Sequence, residues 1–298
     1  MAKKRRNRKK KNSYRGLYAL AAVIVLVISL IVGLKVSINP PSDTELTVHY
    51  IDVGQGDAIL IEAPTGENML IDAGPGASEE KLLAYLSENG IKTLDYFVLT
   101  HPDEDHIGGA DRVFETCTVS EVLLPDCEKD TKAYRNLEQA ILAEQDCLRT
   151  TPESADVIDF CEGGEITVMA PNAPEYADVN DYSIVLRLEY YDTTFLFTGD
   201  AGKASEEQML SVWGETELEC DVLKVGHHGS RTASTTAFIE AVDPEYAVIS
   251  CAKGNKYGHP HAEVLDLLEK EDIQICRTDK EGSIVIISNG TAVSVANT

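Results

Sequence analysis

The sequence predicts an α/β chain in which two β-sheets pack face to face with helices outside them, set behind one apolar segment. Three observations lead there. From residue 46 onward short β-rich runs are punctuated by glycine, and in the C-terminal half strands alternate with helices. Near the N-terminus, eighteen consecutive residues from Leu17 to Leu34 lack any charge. Strands first, then strand–helix alternation, fits two packed sheets covered by helices, and no second domain is needed. A length of 298 residues is ample for one such core.

The first fifteen residues, MAKKRRNRKKKNSYR, hold nine of the 26 Lys and Arg and no acid. Without them 17 basic residues face 50 acidic ones, a net charge of −33 where the whole chain has −24. At a rise of 1.5 Å per residue the run Leu17–Leu34 spans about 27 Å, close to the hydrocarbon thickness of a bilayer. A buried core helix would show a polar face, and this one has none. A cleaved signal would show a small-x-small site, whereas Lys35-Val36-Ser37-Ile38 follows. The reading is a basic cytoplasmic tail at 1–15, a single transmembrane anchor at 16–36, a linker at 37–45 containing Pro40 and Pro41, and an extracytoplasmic domain at 46–298, oriented by the cationic tail. That places the protein in the cell membrane with its C-terminal domain outside.

Within the domain, strands are expected at Leu46–Val53, Ala58–Glu62 and Met69–Asp72, a meander turned at glycines. Ser78 is positioned to cap a helix that Gly90 stops. Tyr96–Thr100 and Glu121–Pro125 read as buried strands, and Lys129–Leu148 as a helix with Leu137, Ile141 and Leu142 on its apolar side. An acid-rich, less regular stretch runs to Gly164. Strands resume at Ile166–Met169, Ile184–Tyr190 and Thr194–Thr198, the last two forming a hairpin. A helix at Ser205–Trp213 precedes the strand Asp221–Val225, a second helix near Thr235–Ala241 and the strand Tyr246–Cys251. Helix Ala262–Lys270 and strands Ile273–Cys276, Ser283–Ile287 and Ala292–Val295 close the chain.

Seven cysteines show no C-x-x-C pair, which argues against a zinc ribbon or thioredoxin site. Outside the membrane the four at 117, 127, 147 and 161 could form bridges, while Cys220, Cys251 and Cys276 read as buried thiols. The body's negative charge, without a Lys/Arg patch outside the tail, cuts against simple electrostatic binding of nucleic acid.

Chemistry concentrates in the histidines. His101-Pro102-Asp103-Glu104-Asp105-His106 follows the strand FVLT, and its imidazoles and carboxylates are the ligand types of Zn, Mn and Fe. A solvated acidic turn is the bland alternative. Asp200 ends the apolar strand FLFTGD, His227 and His228 end another, and His259 and His261 precede a helix. Six of the seven histidines therefore lie in three short clusters, each on a loop after a strand, as expected of a site.

Seven segments in order, HYIDVGQGDAILIE, LIDAG, LTHPDEDHIGG, NDYSIVLRL, LFTGD, VLKVGHHGSRTAS and ISCAKGNKYGHPH, resemble the metallo-β-lactamase superfamily, and within it the metal-dependent domain of the ComEC competence proteins. The resemblance spans 46–298 and implies an αββα four-layer sandwich with two divalent metal ions, Zn or Mn, at one rim. It implies that His101 and Asp103 bind one ion, that Asp105, His106 and His227 bind the other, that Asp200 bridges them, and that Asp72 supports the site. Asp105, Asp200, His228 and His259 would serve catalysis, with His228, Ser230 and His259 donating to substrate phosphate and Asp57 nearby. Many members carry a further histidine before the bridging Asp. None exists here between 107 and 226, so Asn180 or Asp181 is the candidate replacement. A carboxylate at 103 makes that site harder and favours Mn²⁺ or Mg²⁺.

The function implied is a membrane-anchored binuclear phosphodiesterase acting on DNA or on a cell-surface phosphodiester polymer. The contrasting reading is a catalytically degenerate scaffold of the same fold. The topology makes a direct expectation: protease added outside intact cells removes the body and leaves a small basic membrane fragment. A body protected inside, or released with a new N-terminus near Pro40, would refute it.

Overall fold

The computed structural model describes residues 45–296. The tail and anchor, and the linker up to residue 44, lie outside them. Among the described residues no helix is long and apolar enough to cross a membrane.

Among the described residues fifteen strands form two sheets. The first contains β1 (Leu46–Tyr50), β2 (Ile59–Glu62), β3 (Asn68–Ile71), β4 (Thr93–Val98), β5 (Thr118–Leu123) and β6 (Leu148–Thr150), joined at the β1 edge by β14 (Ile284–Ser288) and β15 (Val293–Val295). The second contains β7 (Val157–Cys161), β8 (Gly164–Ala170), β9 (Val185–Tyr190), β10 (Thr193–Phe197), β11 (Val222–Lys224), β12 (Tyr246–Ile249) and β13 (Gln274–Arg277). Side chains alternate across each strand, so every strand serves two layers. Leu46, Val48 and Tyr50 of β1 meet Phe195 and Phe197 of β10 between the sheets. Leu60 and Phe97 face the other way, onto helices Glu79–Glu88, Ala110–Thr116 and Lys132–Ala143. On the far side, Leu196 and Leu223 lie against helices Lys203–Trp213, Thr236–Val242 and Ala262–Lys270. The order is helix, sheet, sheet, helix.

The acid-rich stretch before Gly164 is more regular than its composition implies. It supplies β6, parallel to β5, and β7, antiparallel to β8. Edge pairing compensates for the exposure of residues such as Leu148 and Val157. The helix expected at 129–148 is shorter. Thr131 caps it by accepting from the Tyr134 amide, and Glu144 is already extended. Leu142 therefore projects into solvent while Leu137 and Ile141 are buried. Ser78 precedes the helix Glu79–Glu88 without capping it, because its hydroxyl donates to the Val53 carbonyl at 2.6 Å. All seven cysteines are free thiols, including the four that could have bridged.

The first sheet turns parallel at β3–β4–β5, and the second is parallel through β10–β11–β12–β13. The C-terminal ends of β3, β4, β10, β11 and β12 carry the loops bearing Asp72, His101, Asp200, His227 and the His259 segment. Open parallel sheets place ligands at such strand ends. Ile184 N donates to Thr100 O at 2.9 Å and ties the two sheets together at this rim.

Gly56 lies at φ +143°, and a Cβ there would overlap the Asp105 carbonyl. That carbonyl also accepts from the Asp57 amide at 3.2 Å. Gly56→Ala should lower stability by about 2 kcal/mol, a typical cost of backbone strain combined with a clash. Urea titration of the full chain measures it, and an unchanged midpoint would contradict this close approach.

Candidate metal centre

Asp72, fully buried at φ +59°, organises the first loop. Its Oδ1 accepts from the Thr100 amide at 2.8 Å, and its Oδ2 accepts from Thr100 Oγ1 and from His106 Nδ1, both at 2.7 Å. A carboxylate can only accept here, so His106 carries its proton on Nδ1 and turns Nε2 inward. The other buried imidazoles follow the same plan. His228 Nδ1 donates to the Ser250 carbonyl at 3.0 Å. His101 Nδ1 lies 3.2 Å from Thr100 Oγ1 and 3.3 Å from Ser183 Oγ, so two hydroxyls hold it from behind.

The Nε2 atoms of His101, His106 and His228 are buried without hydrogen-bond partners among the described residues, and so is Asp200 Oδ1. They converge. Asp200 Oδ1 lies 3.3 Å from His106 Nε2, and Oδ2 lies 3.4 Å from His228 Nε2 and 3.6 Å from His227 Nε2. Asp105 Oδ2 stands 3.5 Å from His228 Nε2. Donor atoms of His101, His106 and Asp200 lie within 4.8 Å of one another, and so do those of Asp105, His106 and His228. Nitrogen and carboxylate oxygen at this spacing, buried and otherwise unsatisfied, suit divalent transition metals.

The local electrostatics reflect the crowding. Burial and neighbouring His106 push the His101 imidazole well below its usual range. Burial opposes a charge on His106 and His228 too, yet carboxylates outweigh it: Asp200 and Asp72 raise His106 well above normal, and Asp200 with Asp57 lifts His228 to about 9. Asp200 itself is held well below the carboxylate range by His228 and His106 despite its burial. His259, at the mouth, is lowered to about 4 by burial and by His228 and His227.

Several residues sit elsewhere than expected. Asp103 lines the cavity beside these clusters without joining one, its Oδ1 2.6 Å from Lys129 Nζ on the loop before helix Lys132–Ala143. His227 and His228 both adopt left-handed backbone, φ +47° and +55°, which sends adjacent side chains in different directions. His228, expected at the substrate, is turned into the cluster. His227, expected among the ligands, flanks it with partial exposure, its Nδ1 3.1 Å from Thr232 Oγ1. Ser230 is buried and bonds Thr232 Oγ1 at 2.9 Å, away from the cavity. Between the two candidates for the missing histidine, Asn180 lines the cavity and reaches His227 Nδ1 at 3.5 Å. Asp181 accepts from the Gly202 and Ser205 amides instead. The cavity, about 150 Å³, also reaches Gln55, which lies in the family-like segment HYIDVGQGDAILIE, and Tyr257, for which no role was expected. A larger groove between helices Ala110–Thr116 and Lys132–Ala143 contains no histidine or cysteine.

Beneath the centre lies a residue sequence reasoning missed. Lys224 is fully buried at the end of β11, its Nζ 2.5 Å from Asp57 Oδ2. The signal was a lone charge among apolar residues in VLKV.

A helix-covered pair of sheets presenting buried imidazoles and carboxylates at one rim defines a metal-binding αββα sandwich. The chain belongs to the metallo-β-lactamase superfamily, whose family model matches residues 51–253. It is similar to ComE operon protein 3 of Bacillus subtilis, 34% identical over 83% of this chain and 34% of that protein. Competence protein ComA of Neisseria gonorrhoeae is 30% identical over 87% of this chain and 34% of that protein. The chain thus spans about a third of the length of these relatives. Two solved structures share the fold. CmlA, a diiron β-hydroxylase from Streptomyces venezuelae, has a TM-score of 0.52 at 16% identity, over 80% of this chain and 53% of that one. Zn²⁺-bound PqqB from Methylobacterium extorquens has a TM-score of 0.51 at 10% identity, over 77% and 97%.

Asp72 orients His106 and Thr100 from behind, so Asp72→Ala should weaken divalent-metal affinity by roughly 10–100-fold. Competition against a chromogenic chelator checks this, and wild-type affinity in a folded variant would count against the orienting role.

Proposed function

We propose that the chain is a membrane-anchored, extracytoplasmic metallohydrolase that cleaves phosphodiester bonds with two divalent ions. The observation behind this reading is the convergence of three unsatisfied Nε2 atoms on Asp200. Each Asp200 oxygen faces its own set of donors. His101 and His106 with Oδ1 would hold one ion, and Asp105 and His228 with Oδ2 the other, while His227 and Asn180 flank the pair. When bound, such ions activate water and neutralise phosphate charge.

The remaining residues act on the substrate. His259 is neutral at pH 7 given its lowered value of about 4, so it donates a hydrogen bond to phosphate without carrying a full proton charge. Asn255 holds it in place, accepting from the His259 amide at 2.9 Å and donating to its carbonyl at 2.6 Å. Gln55 Oε1 accepts from Ala252 N at 3.3 Å, while its Nε2 is buried without a partner and lies at the cavity as a second donor. DNA is the substrate that the competence relatives bring to mind. A cell-surface phosphodiester polymer is the other member of the same class.

The test is hydrolysis by the full chain of a bis-aryl phosphodiester, single-stranded DNA and duplex DNA, with each divalent metal added separately. Asp200→Ala should abolish cleavage. His259→Ala should lower turnover by roughly 10²–10³-fold, the worth of one placed donor, and leave metal content intact. Full activity in Asp200→Ala would reject the metal mechanism, and no cleavage by the wild-type chain with any metal would favour a scaffold.

A further inference from the structure

The carboxylates at this rim outnumber those the two proposed ions require. Asp57, Asp72, Asp105 and Asp200 all have oxygens in clusters able to hold a cation. Two of these clusters involve Asp57, one with Asp200 and His228 and one with Asp72 and His106, each with donor atoms within 4.8 Å. Asp57 meets His106 and His228 on their Nδ1 side, where each ring already donates to Asp72 or to the Ser250 carbonyl, so the Asp57 clusters lie behind the inward Nε2 atoms. Both the aspartate and the histidines are buried.

On that side stands a fixed positive charge, Lys224. Its ammonium sits 2.5 Å from Asp57 Oδ2, 3.1 Å from the Val225 carbonyl and 3.5 Å from the Gly199 carbonyl. It is enclosed by oxygen atoms in the way a bound cation would be. The lysine cannot leave, because β11 places it between β10 and β12 and its side chain is wholly buried. Asp57 in turn stands behind the ligands, its Oδ1 3.6 Å from His228 Nδ1 and its Oδ2 3.9 Å from His106 Nδ1.

We propose that Lys224 is an internal cation that keeps divalent metal away from Asp57 and so confines metal to the Nε2 side of the histidines. A buried salt bridge adds little net stability relative to apolar replacements, so stability alone is a weak reason for this pair. Exclusion of metal gives it one. An ion seated on Asp57 would pull Asp200 and His228 toward the floor and away from the cavity. The inference rests on the metal-centre reading above.

The experiment counts Mn²⁺ per chain by elemental analysis after equilibrium dialysis, on the full chain, with folding followed by circular dichroism. Lys224→Met keeps the length of the side chain and removes the charge, and it should bind one more ion than wild type. Adding Asp57→Asn to it should return the count to the wild-type value, and the double variant should melt above either single one. A folded Lys224→Met with no extra ion overturns the proposal. So does a folded double variant that loses metal, since Asp57 would then be a ligand, and this arm decides the matter even where Lys224→Met alone does not fold. A wild-type chain that takes up no Mn²⁺ rejects the metal-centre reading together with this inference. A wild-type chain that binds Mn²⁺ beside a double variant that does not rejects the inference alone.

Discussion

Three buried imidazole nitrogens without hydrogen-bond partners impose the constraint on which the rim is built. Each unsatisfied buried polar atom costs about 1–3 kcal/mol. The protein tolerates them by securing every ring at its other nitrogen, to Asp72, to the Ser250 carbonyl and to Thr100 Oγ1. Those anchors leave the rings one orientation each, so the inward nitrogens stay in place without holding one another. Asp72 and Thr100 are shared between two of the rings, which makes the end of β3 and the loop after β4 a single unit.

That unit needs the second sheet to be complete. Asp200 and His228 arrive from β10 and β11, and neither strand touches β3 or β4 in its own sheet. Only face-to-face packing brings the two halves together, with aromatic residues from β1 and β10 filling the space between. The Ile184–Thr100 hydrogen bond and the close approach of Gly199 to the Thr100 side chain hold the rims in register. Gly199, at φ +51°, lets the chain turn sharply so that Asp200 points into the gap.

Charge is managed locally within a strongly anionic body. Four aspartates at the rim would repel one another, and partners offset them individually: histidines beside Asp200 and Asp105, His106 beside Asp72, Lys224 beneath Asp57. Asp103, farther out, takes Lys129. The cavity of this strongly anionic body is thus lined by imidazoles and amides together with carboxylates that each have a basic partner.

Much of this was readable in the order of residues. Alternating apolar positions and turn glycines placed most strands to within a few residues, and the helix Ala262–Lys270 was placed as observed. Histidine clusters after strands marked the rim, and Asp72, His101, Asp105, His106 and Asp200 all reach it. The strands β6 and β7 were not readable, because both are short edge strands, set in an acid-rich stretch, whose stability comes from pairing with one neighbour. Nor could the order of residues distinguish His227 from His228. Both sit in one glycine-flanked turn, and the left-handed backbone there, not the residue type, decides which ring faces the metal side. The ion pair of Asp103 at the cavity could not be read either, since its partner Lys129 lies 26 positions away and is brought near by the packing of the helix Lys132–Ala143. Residue type and spacing set the chemistry available at the rim; distances between the two sheets, which depend on long-range packing, decided which atoms use it.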